Sequence, residues 1–220
     1  MLRNVFLVVV ALGVWAACGA GKITNLRLEW RGERPNLRPQ PEVAMAFSAV
    51  PLAIFLHDER EAPDVVGAYD NGGSVVRTTD NVGQHCANHV AGLLVNAGAR
   101  VEDAATVALD ASLLEYHVLE GERFNATVKV RFSLRLATGN VLWSAQYVGT
   151  GSRWGRTHNP ENYNEALTDG LTDVVTQLVN DHLFGAALVA SSSVPQEPSA
   201  PTTPEASAFA PAPPASSTGS

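Results

Sequence analysis

The sequence predicts an α+β domain, with a single, mainly antiparallel sheet of four to five strands and two helices packed on one of its faces. Three observations indicate this fold. Apolar and polar residues alternate strictly across residues 124–137, which is typical of a strand with one buried face. Apolar residues recur at helical spacing within residues 82–94 and again within 163–183. One helix therefore follows the first strand, a second closes the domain, and the strands between them pair as hairpins.

The first strand and the first helix are predicted within residues 50–98. Val50 to Leu56 is an almost continuous apolar run, as expected of a strand in the centre of a sheet. The segment 64–77 is rich in glycine, and Asn71-Gly72-Gly73 predicts a turn. A helix that ends at Gly98 is predicted next, because apolar residues line one face of it: Val82, Cys86, Val90, Leu93 and Leu94.

Two consecutive hairpins make up the rest of the predicted sheet. Their strands are expected at residues 107–119, 124–137 and 141–150. Short turns at residues 121–122 and 139–140, each containing a glycine, connect them.

Pro160 suits the first position of the closing helix, because its missing N–H group needs no partner there. The helix is predicted to place one apolar stripe against the sheet. The stripe consists of Tyr163, Leu167, Leu171, Val174, Val175, Leu178 and Leu183.

Cys18 ends an N-terminal segment with the features of a secretory signal. Arg3 precedes an apolar stretch from Val5 to Trp15, and two alanines stand just before the cysteine. The weaker alternatives are an ordinary secretory peptide with a bystander cysteine and an uncleaved anchor helix, for which the stretch is too short to span a bilayer comfortably. Small residues followed by cysteine resemble the cleavage site of bacterial lipoproteins, which implies removal of residues 1–17 and fatty acylation of Cys18. The glycine after Cys18 implies, by the same resemblance, transport to the outer membrane with the domain facing the periplasm; the inner membrane is the alternative.

Two segments flank the predicted globular domain at residues 45–190. Residues 18–44 are polar and contain three prolines, so a lipidated N-terminus followed by a flexible linker is predicted, with an edge strand at 24–30 as the alternative. Residues 191–220 consist mostly of Ser, Pro, Ala and Thr. We predict a disordered tail there, because such a composition buries too little apolar area to offset the loss of chain entropy.

The charge balance argues against one class of partner. The net charge is -7, and lysine occurs only at positions 22 and 129, so the chain lacks the basic cluster that phosphate backbones require. We therefore predict no nucleic-acid partner. Cys86 is the only cysteine besides Cys18, so the processed domain can form no internal disulfide.

Three candidates could carry chemistry, and for each of them the structural interpretation is favoured. His85 and His89 are four residues apart in a predicted helix, but a third ligand or the glutamate of a zinc motif is missing. Cys86 falls on the apolar stripe, where a free cysteine behaves as a small hydrophobic side chain. The run His57-Asp58-Glu59-Arg60 combines a base, acids and a cation, but it also suits a solvated loop. We predict no catalytic residue, no metal and no cofactor.

A glycine-rich loop after the last predicted strand is the candidate binding site for a protein partner. It places Trp154 between Arg153 and Arg156, and an aromatic side chain flanked by arginines is typical of an interface anchor. The alternative is a tryptophan that folds back over the end of the hairpin. Replacing Trp154 with alanine distinguishes the two interpretations: an interface anchor predicts weaker crosslinking to the partner at an unchanged melting temperature, and a packing role predicts lost stability with binding intact.

Several of these features together resemble the YajG-type family of bacterial lipoproteins over residues 50–188. The resemblance implies a non-catalytic periplasmic domain. It is carried by the lipobox cysteine, the strand Leu52 to Leu56 leading to Asp58 and Arg60, the helix around Val90 to Leu94 with Gly98 after it, Leu113-Leu114-Glu115-Tyr116, Gly139, Tyr147, Gly149 and a closing helix that reaches residues 183–188.

The function predicted from these features is that of a lipid-anchored envelope protein, a non-catalytic accessory or assembly module that binds a protein partner. The alternative is a transporter-associated lipoprotein that binds a lipid or another amphiphile between the sheet and the helices. The alternative predicts a roomy apolar cleft, whereas the first hypothesis predicts a filled core.

Overall fold

Six strands in one mixed sheet and four helices make up the described chain. The structure is a computed structural model that describes residues 23–32, 35–70, 74–155 and 158–193. In chain order the elements are α1 (Pro41–Ala49), β1 (Leu52–Asp58), β2 (Val65–Tyr69), β3 (Val75–Arg77), α2 (Val82–Asn96), β4 (Val107–Glu120), β5 (Phe124–Leu136), β6 (Val141–Arg153), α3 (Pro160–Val179) and α4 (His182–Ser192). Among the described helices, none has the length and hydropathy needed to cross a bilayer.

The long strand β4 organises the sheet. It pairs antiparallel with β5 on one side, and β6 continues the antiparallel order to the edge. On its other side β4 pairs in parallel with two short strands, β1 along its first half and β2 along its last residues. The predicted α+β fold with a mostly antiparallel sheet is confirmed. The additional strands β2 and β3 come from segment 64–77, whose predicted turn at residues 71–73 lies outside the described residues.

The helices cover one face of the sheet, as predicted. α3 packs against β4, β5 and β6, α4 packs against β5 and β6, and α2 packs against β1. The alternation in β5 is fulfilled, because its inward residues are fully or almost fully buried under α3. These residues are Phe124, Ala126, Val128, Val130, Phe132 and Leu134.

The predicted linker is wrong for its described part. Residues 23–32 and 35–40, here called the N-terminal strap, run along the domain and bury Ile23, Leu26, Leu28 and Leu37. Leu26 N–H donates to the Arg77 carbonyl at 2.7 Å, so the strap touches the edge strand β3 in a single bridge. Residues 41–44, at the end of the predicted linker, belong to helix α1.

The closing helix of the prediction is two helices. α3 ends at Val179, and Asp181 caps α4 by accepting a hydrogen bond from Leu183 N–H at 2.7 Å. The same carboxylate accepts a 2.5 Å hydrogen bond from the Tyr147 hydroxyl, which ties the break to β6. Leu183, predicted on the buried stripe, is 57% exposed for this reason.

Candidate functional site

Trp154 follows the last residue of β6, and 65% of its surface is exposed. The guanidinium carbon of Arg123, in the turn between β4 and β5, lies 4.3 Å from the centre of the indole. Such a cation–π contact contributes about 0.5–1 kcal/mol at an exposed site. The ring is thus held in place by Arg123 while most of it stays open to solvent, which argues against a tryptophan packed over the hairpin end.

A depression of about 320 Å³ adjoins the indole. It is formed where β2, β4 and β6 end together, so it combines residues from three segments of the chain. We call it the Trp154 surface, and its residues are Asp70, Leu119, Gly121, Glu122, Arg123, Asn125 and Trp154.

Arg153 is less exposed than its neighbour, and its guanidinium is paired within the fold. Its guanidinium lies 2.6 Å from a carboxylate oxygen of Asp169 and 3.5 Å from one of Glu165, both on α3. Partial burial raises the pKa of Asp169, and the Arg153 charge opposes that rise. Arg153 therefore fixes the end of β6 to α3, which positions Trp154. Arg156, the third predicted contact residue, lies outside the described residues.

A buried polar cluster lies behind the Trp154 surface. Glu120, which is 4% exposed, accepts hydrogen bonds from the Tyr163 hydroxyl at 2.7 Å and from His158 N–H at 2.8 Å. The Tyr69 ring contacts His158 edge-on, and its hydroxyl exchanges hydrogen bonds with Ile23, accepting from N–H at 2.8 Å and donating to C=O at 3.2 Å. The cluster holds the start of the strap against the domain. Sequence reasoning missed it, although a glutamate at an inward position of β4 was a signal.

The predicted charge cluster at residues 57–60 is divided between two faces. His57 and Glu59 point to the side away from the helices, whereas Asp58 and Arg60 are turned inward. Arg60, 6% exposed, donates to both carboxylate oxygens of Asp58 at 2.8 Å each and to three backbone carbonyls, those of Pro63, Val65 and Tyr116. These hydrogen bonds commit the Arg60 guanidinium to holding the end of β1. The side chains of residues 57–60 therefore do not meet at one common site.

The two histidines of α2 belong to an aromatic stack. The ring of His89 lies 4.4 Å from that of Trp30 in the strap and 4.4 Å from that of His85. Burial lowers the pKa of His85, and the Asp80 charge opposes this shift. Cys86 is completely buried, which raises the pKa of its thiol. In the described ranges, no three His, Cys, Asp or Glu side chains are grouped so that they could hold a metal ion.

The face of the sheet away from the helices carries cross-strand ion pairs. Arg131 lies 2.8 Å from Glu59, Lys129 lies 3.2 Å from Glu115, and Arg135 pairs with Asp110. We call this the open sheet face. Its further residues include Phe55 and Val148, which are 47% and 43% exposed, and His57, Ser112, Ser133, Ser144 and Gln146.

All four tyrosines have a raised pKa, and this gives a pH prediction. Burial is the main cause at Tyr69, Tyr116, Tyr147 and Tyr163, and hydrogen bonds to Asp181 and Glu120 add to it at the last two. Above about pH 10 the tyrosines of the unfolded chain ionise while those of the folded protein stay neutral. The unfolded state then binds fewer protons, so stability falls as the pH rises.

The measurement is an ultraviolet titration of tyrosinate. We expect almost no tyrosinate in the folded protein near pH 10, and its appearance together with unfolding at higher pH. The denatured protein is the control and titrates at about pH 10. An ordinary titration midpoint in the folded protein would contradict the buried positions of these hydroxyls.

Comparison with known proteins identifies the fold but no family. No family model and no curated protein matches the chain. Among solved structures, a Xanthomonas campestris protein of family DUF330 matches with a TM-score of 0.50 and 14% identity, covering 78% of this chain and 99% of that one. At this identity the match shows a shared fold and says nothing about activity.

Two further solved structures are more distant. PelC from Paraburkholderia phytofirmans, a dodecamer, has a TM-score of 0.36 and 20% identity, covering 61% of this chain and 86% of its own. Lipoprotein GNA1162 from Neisseria meningitidis has a TM-score of 0.31 and 14% identity, covering 47% of this chain and 83% of its own. Solved structures similar to this chain thus include a DUF330 protein and a bacterial lipoprotein. Because the TM-scores of PelC and GNA1162 are below 0.5, neither of these two supports a conclusion about this chain.

Proposed function

We propose that this protein is a lipid-anchored module of the bacterial envelope that acts as a non-catalytic accessory by binding a protein partner. The observation that carries the proposal is the position of Cys18, at the end of a secretory signal and five residues before Ile23. Ile23 is already packed into the domain, so acyl chains on Cys18 would hold the folded body directly at a membrane. Two or three acyl chains make such an anchor lasting.

The structural use of the polar groups in the described residues supports a non-catalytic role. Asp58 with Arg60, and Glu120 with Tyr163, are buried pairs whose polar atoms hold the fold together. The resemblance to YajG-type lipoproteins points the same way. The glycine after Cys18 supports the outer membrane, with the domain in the periplasm, as the proposed location.

The open sheet face is the proposed docking surface for the protein partner. The described helices lie on the other side of the sheet, and this face offers charged groups from the end of β1, from β4 and from β5 together with exposed apolar side chains such as Phe55. A second candidate surface, the edge of β6, is partly closed by α3. Gln177 donates to the Val148 carbonyl at 2.9 Å, and Thr150 N–H donates to Asp173 at 3.0 Å. Side chains that cover an edge in this way block the addition of a strand.

The alternative function, binding of an amphiphile between sheet and helices, is not favoured by any observation. The layer between α3 and the sheet is occupied by one continuous cluster of buried side chains. Phe132, Leu171 and Val174 are completely buried within it.

Photocrosslinking in native membranes tests the proposal. A photoreactive amino acid at Gln146, exposed on the open sheet face, is expected to give a discrete adduct with one protein. The matched control places it at Val95, which is 52% exposed on α2, where we expect no adduct.

Intact mass of the same preparation is the second readout. It is expected to show a chain that begins at an acylated Cys18. An unacylated mature protein would overturn the proposed anchor, and equal labelling from positions 146 and 95 would overturn the proposed docking face.

A further inference from the structure

The N-terminal strap begins at the end of the sheet that carries the Trp154 surface. Ile23 is hydrogen-bonded through both backbone groups to the Tyr69 hydroxyl, and Tyr69 directly precedes Asp70 of that surface. Asp70 N–H donates to the Glu120 carbonyl at 2.8 Å, so it lies beside the turn that holds Arg123. The strap then leads away, and Gln40 reaches Val179 at the opposite end of α3.

The short distance along the chain between Cys18 and Ile23 limits where this end can lie. Five residues span at most about 18 Å even when fully extended. The 20-residue helix α3 is about 30 Å long, so the opposite end of the domain lies well beyond the anchor's reach from Ile23. An acylated Cys18 therefore keeps the Trp154 end close to the bilayer.

Trp154, Leu119 and Arg123 suit a lipid headgroup region, and Asp70 and Glu122 are the acidic residues of the same surface. Tryptophan is enriched at membrane interfaces, because its ring is amphipathic and can be apolar at one side and hydrated at the other. Trp154 is 65% exposed and Leu119 is 41% exposed, so apolar surface is available without any rearrangement. The guanidinium of Arg123 lies beside the indole and can donate two hydrogen bonds to a phosphate group.

We infer that the Trp154 surface rests on the lipid headgroups of the membrane that holds the anchor, an inference that depends on the proposed acylation of Cys18. Trp154 inserts at the interface, and Arg123 contacts lipid phosphate. Tethering makes this second contact intramolecular, with an effective concentration of the order of millimolar, so a weak contact is populated. The sequence predicts a protein contact at Trp154. The short distance between Trp154 and the anchor favours a lipid contact instead. In this orientation the open sheet face does not face the membrane and stays accessible to a protein.

Fluorescence quenching by brominated lipid tests the inference. The acylated full-length product is placed in vesicles of phosphatidylethanolamine and phosphatidylglycerol whose acyl chains carry bromine near the headgroup. After removal of Trp15 the chain has three tryptophans, Trp30, Trp143 and Trp154. We expect the wild type to lose roughly a third of its emission, the share of one residue at the interface.

Two variants assign the quenching. Trp154→Phe is expected to abolish it, whereas Trp143→Phe, on β6 near the opposite end, is expected to retain it. Unchanged thermal unfolding of Trp154→Phe shows that the loss of quenching is not a loss of fold. Quenching that survives in Trp154→Phe overturns the inference.

The inference and the proposed function fail in different ways. A product that lacks acyl chains by intact mass contradicts the proposed anchor. An acylated wild type without quenching contradicts only the seating of Trp154. A photoreactive residue at position 154 that labels protein and no lipid in native membranes also overturns the inference, in favour of the protein contact predicted from the sequence.

Discussion

Replacing Gly149 with valine is expected to prevent stable folding of the domain. Gly149 lies on the inward side of β6, where a Cβ atom would be 2.1 Å from the Gly170 carbonyl oxygen and 2.8 Å from the backbone nitrogen of Val174. Both neighbouring atoms belong to the α3 backbone, which cannot move aside as a flexible side chain could. Added volume in a well-packed core costs about 1–3 kcal/mol and occasionally more, and here helix and strand must separate.

Two further variants keep the Gly149 prediction testable. Gly149→Ala adds the same Cβ atom without the two methyl groups of valine, so it is expected to lower the unfolding midpoint by less than Gly149→Val does. Gln146→Val puts the same new side chain on the exposed side of the same strand and is expected to change stability by less than about 0.5 kcal/mol. Denaturant unfolding followed by circular dichroism measures all three. If Gly149→Val unfolds at the midpoint of Gln146→Val, α3 does not approach β6 as closely as described.

The elements predicted correctly are those whose pattern is local. In β5 the alternation of apolar and polar residues shows which face of the sheet each side chain lies on. In α2 the apolar residues around Cys86 form a stripe at helical spacing. The stripe of α3 continues past Val179 in the sequence, but an aspartate cap at residue 181 bound to Tyr147 divides the helix. The spacing of apolar residues along the sequence gives no sign of this tertiary contact.

The N-terminal strap was predicted as a linker because its burial follows no period. Its backbone groups are satisfied by distant side chains, as when Leu28 N–H donates to Asp80 and Glu29 N–H donates to Asn164. Three prolines and many polar residues in residues 18–44 predict a linker, yet Leu26 and Leu28 are buried and Pro41 begins helix α1. The composition gives no sign that the strap packs between α2 and α3.

Of the candidate site, only Trp154 could be recognised from the sequence. Trp154 stands out in a glycine-rich loop, and its exposure agrees with a contact residue. Arg123 was missed because it reaches the indole from another turn, and Arg153 was assigned to a partner although it binds Asp169 of α3. Arginine near an aromatic residue predicts an interface only when no acidic side chain of the same fold competes for it.

Replacing Arg60 with methionine is expected to destabilise the domain by about 3–5 kcal/mol, the cost of breaking a buried ion pair on one side. Without the guanidinium, the Asp58 side chain, which is only 17% exposed, loses its ion-pair partner, and the Tyr116 and Val65 carbonyls lose a donor. Methionine retains most of the apolar stem, so the lost charge and donors dominate the change.

The matched control is Arg131→Met on the open sheet face, where the ion pair with Glu59 is almost half exposed. Exposed pairs contribute about 0–1 kcal/mol, so this variant should unfold close to the wild type. Asp58→Leu combined with Arg60→Met should recover part of the loss, because no unpaired charge remains. Denaturant unfolding measures each variant. If Arg60→Met is as mild as Arg131→Met, the Arg60 guanidinium is not committed to the fold, and a chemical role for the 57–60 cluster becomes the better interpretation.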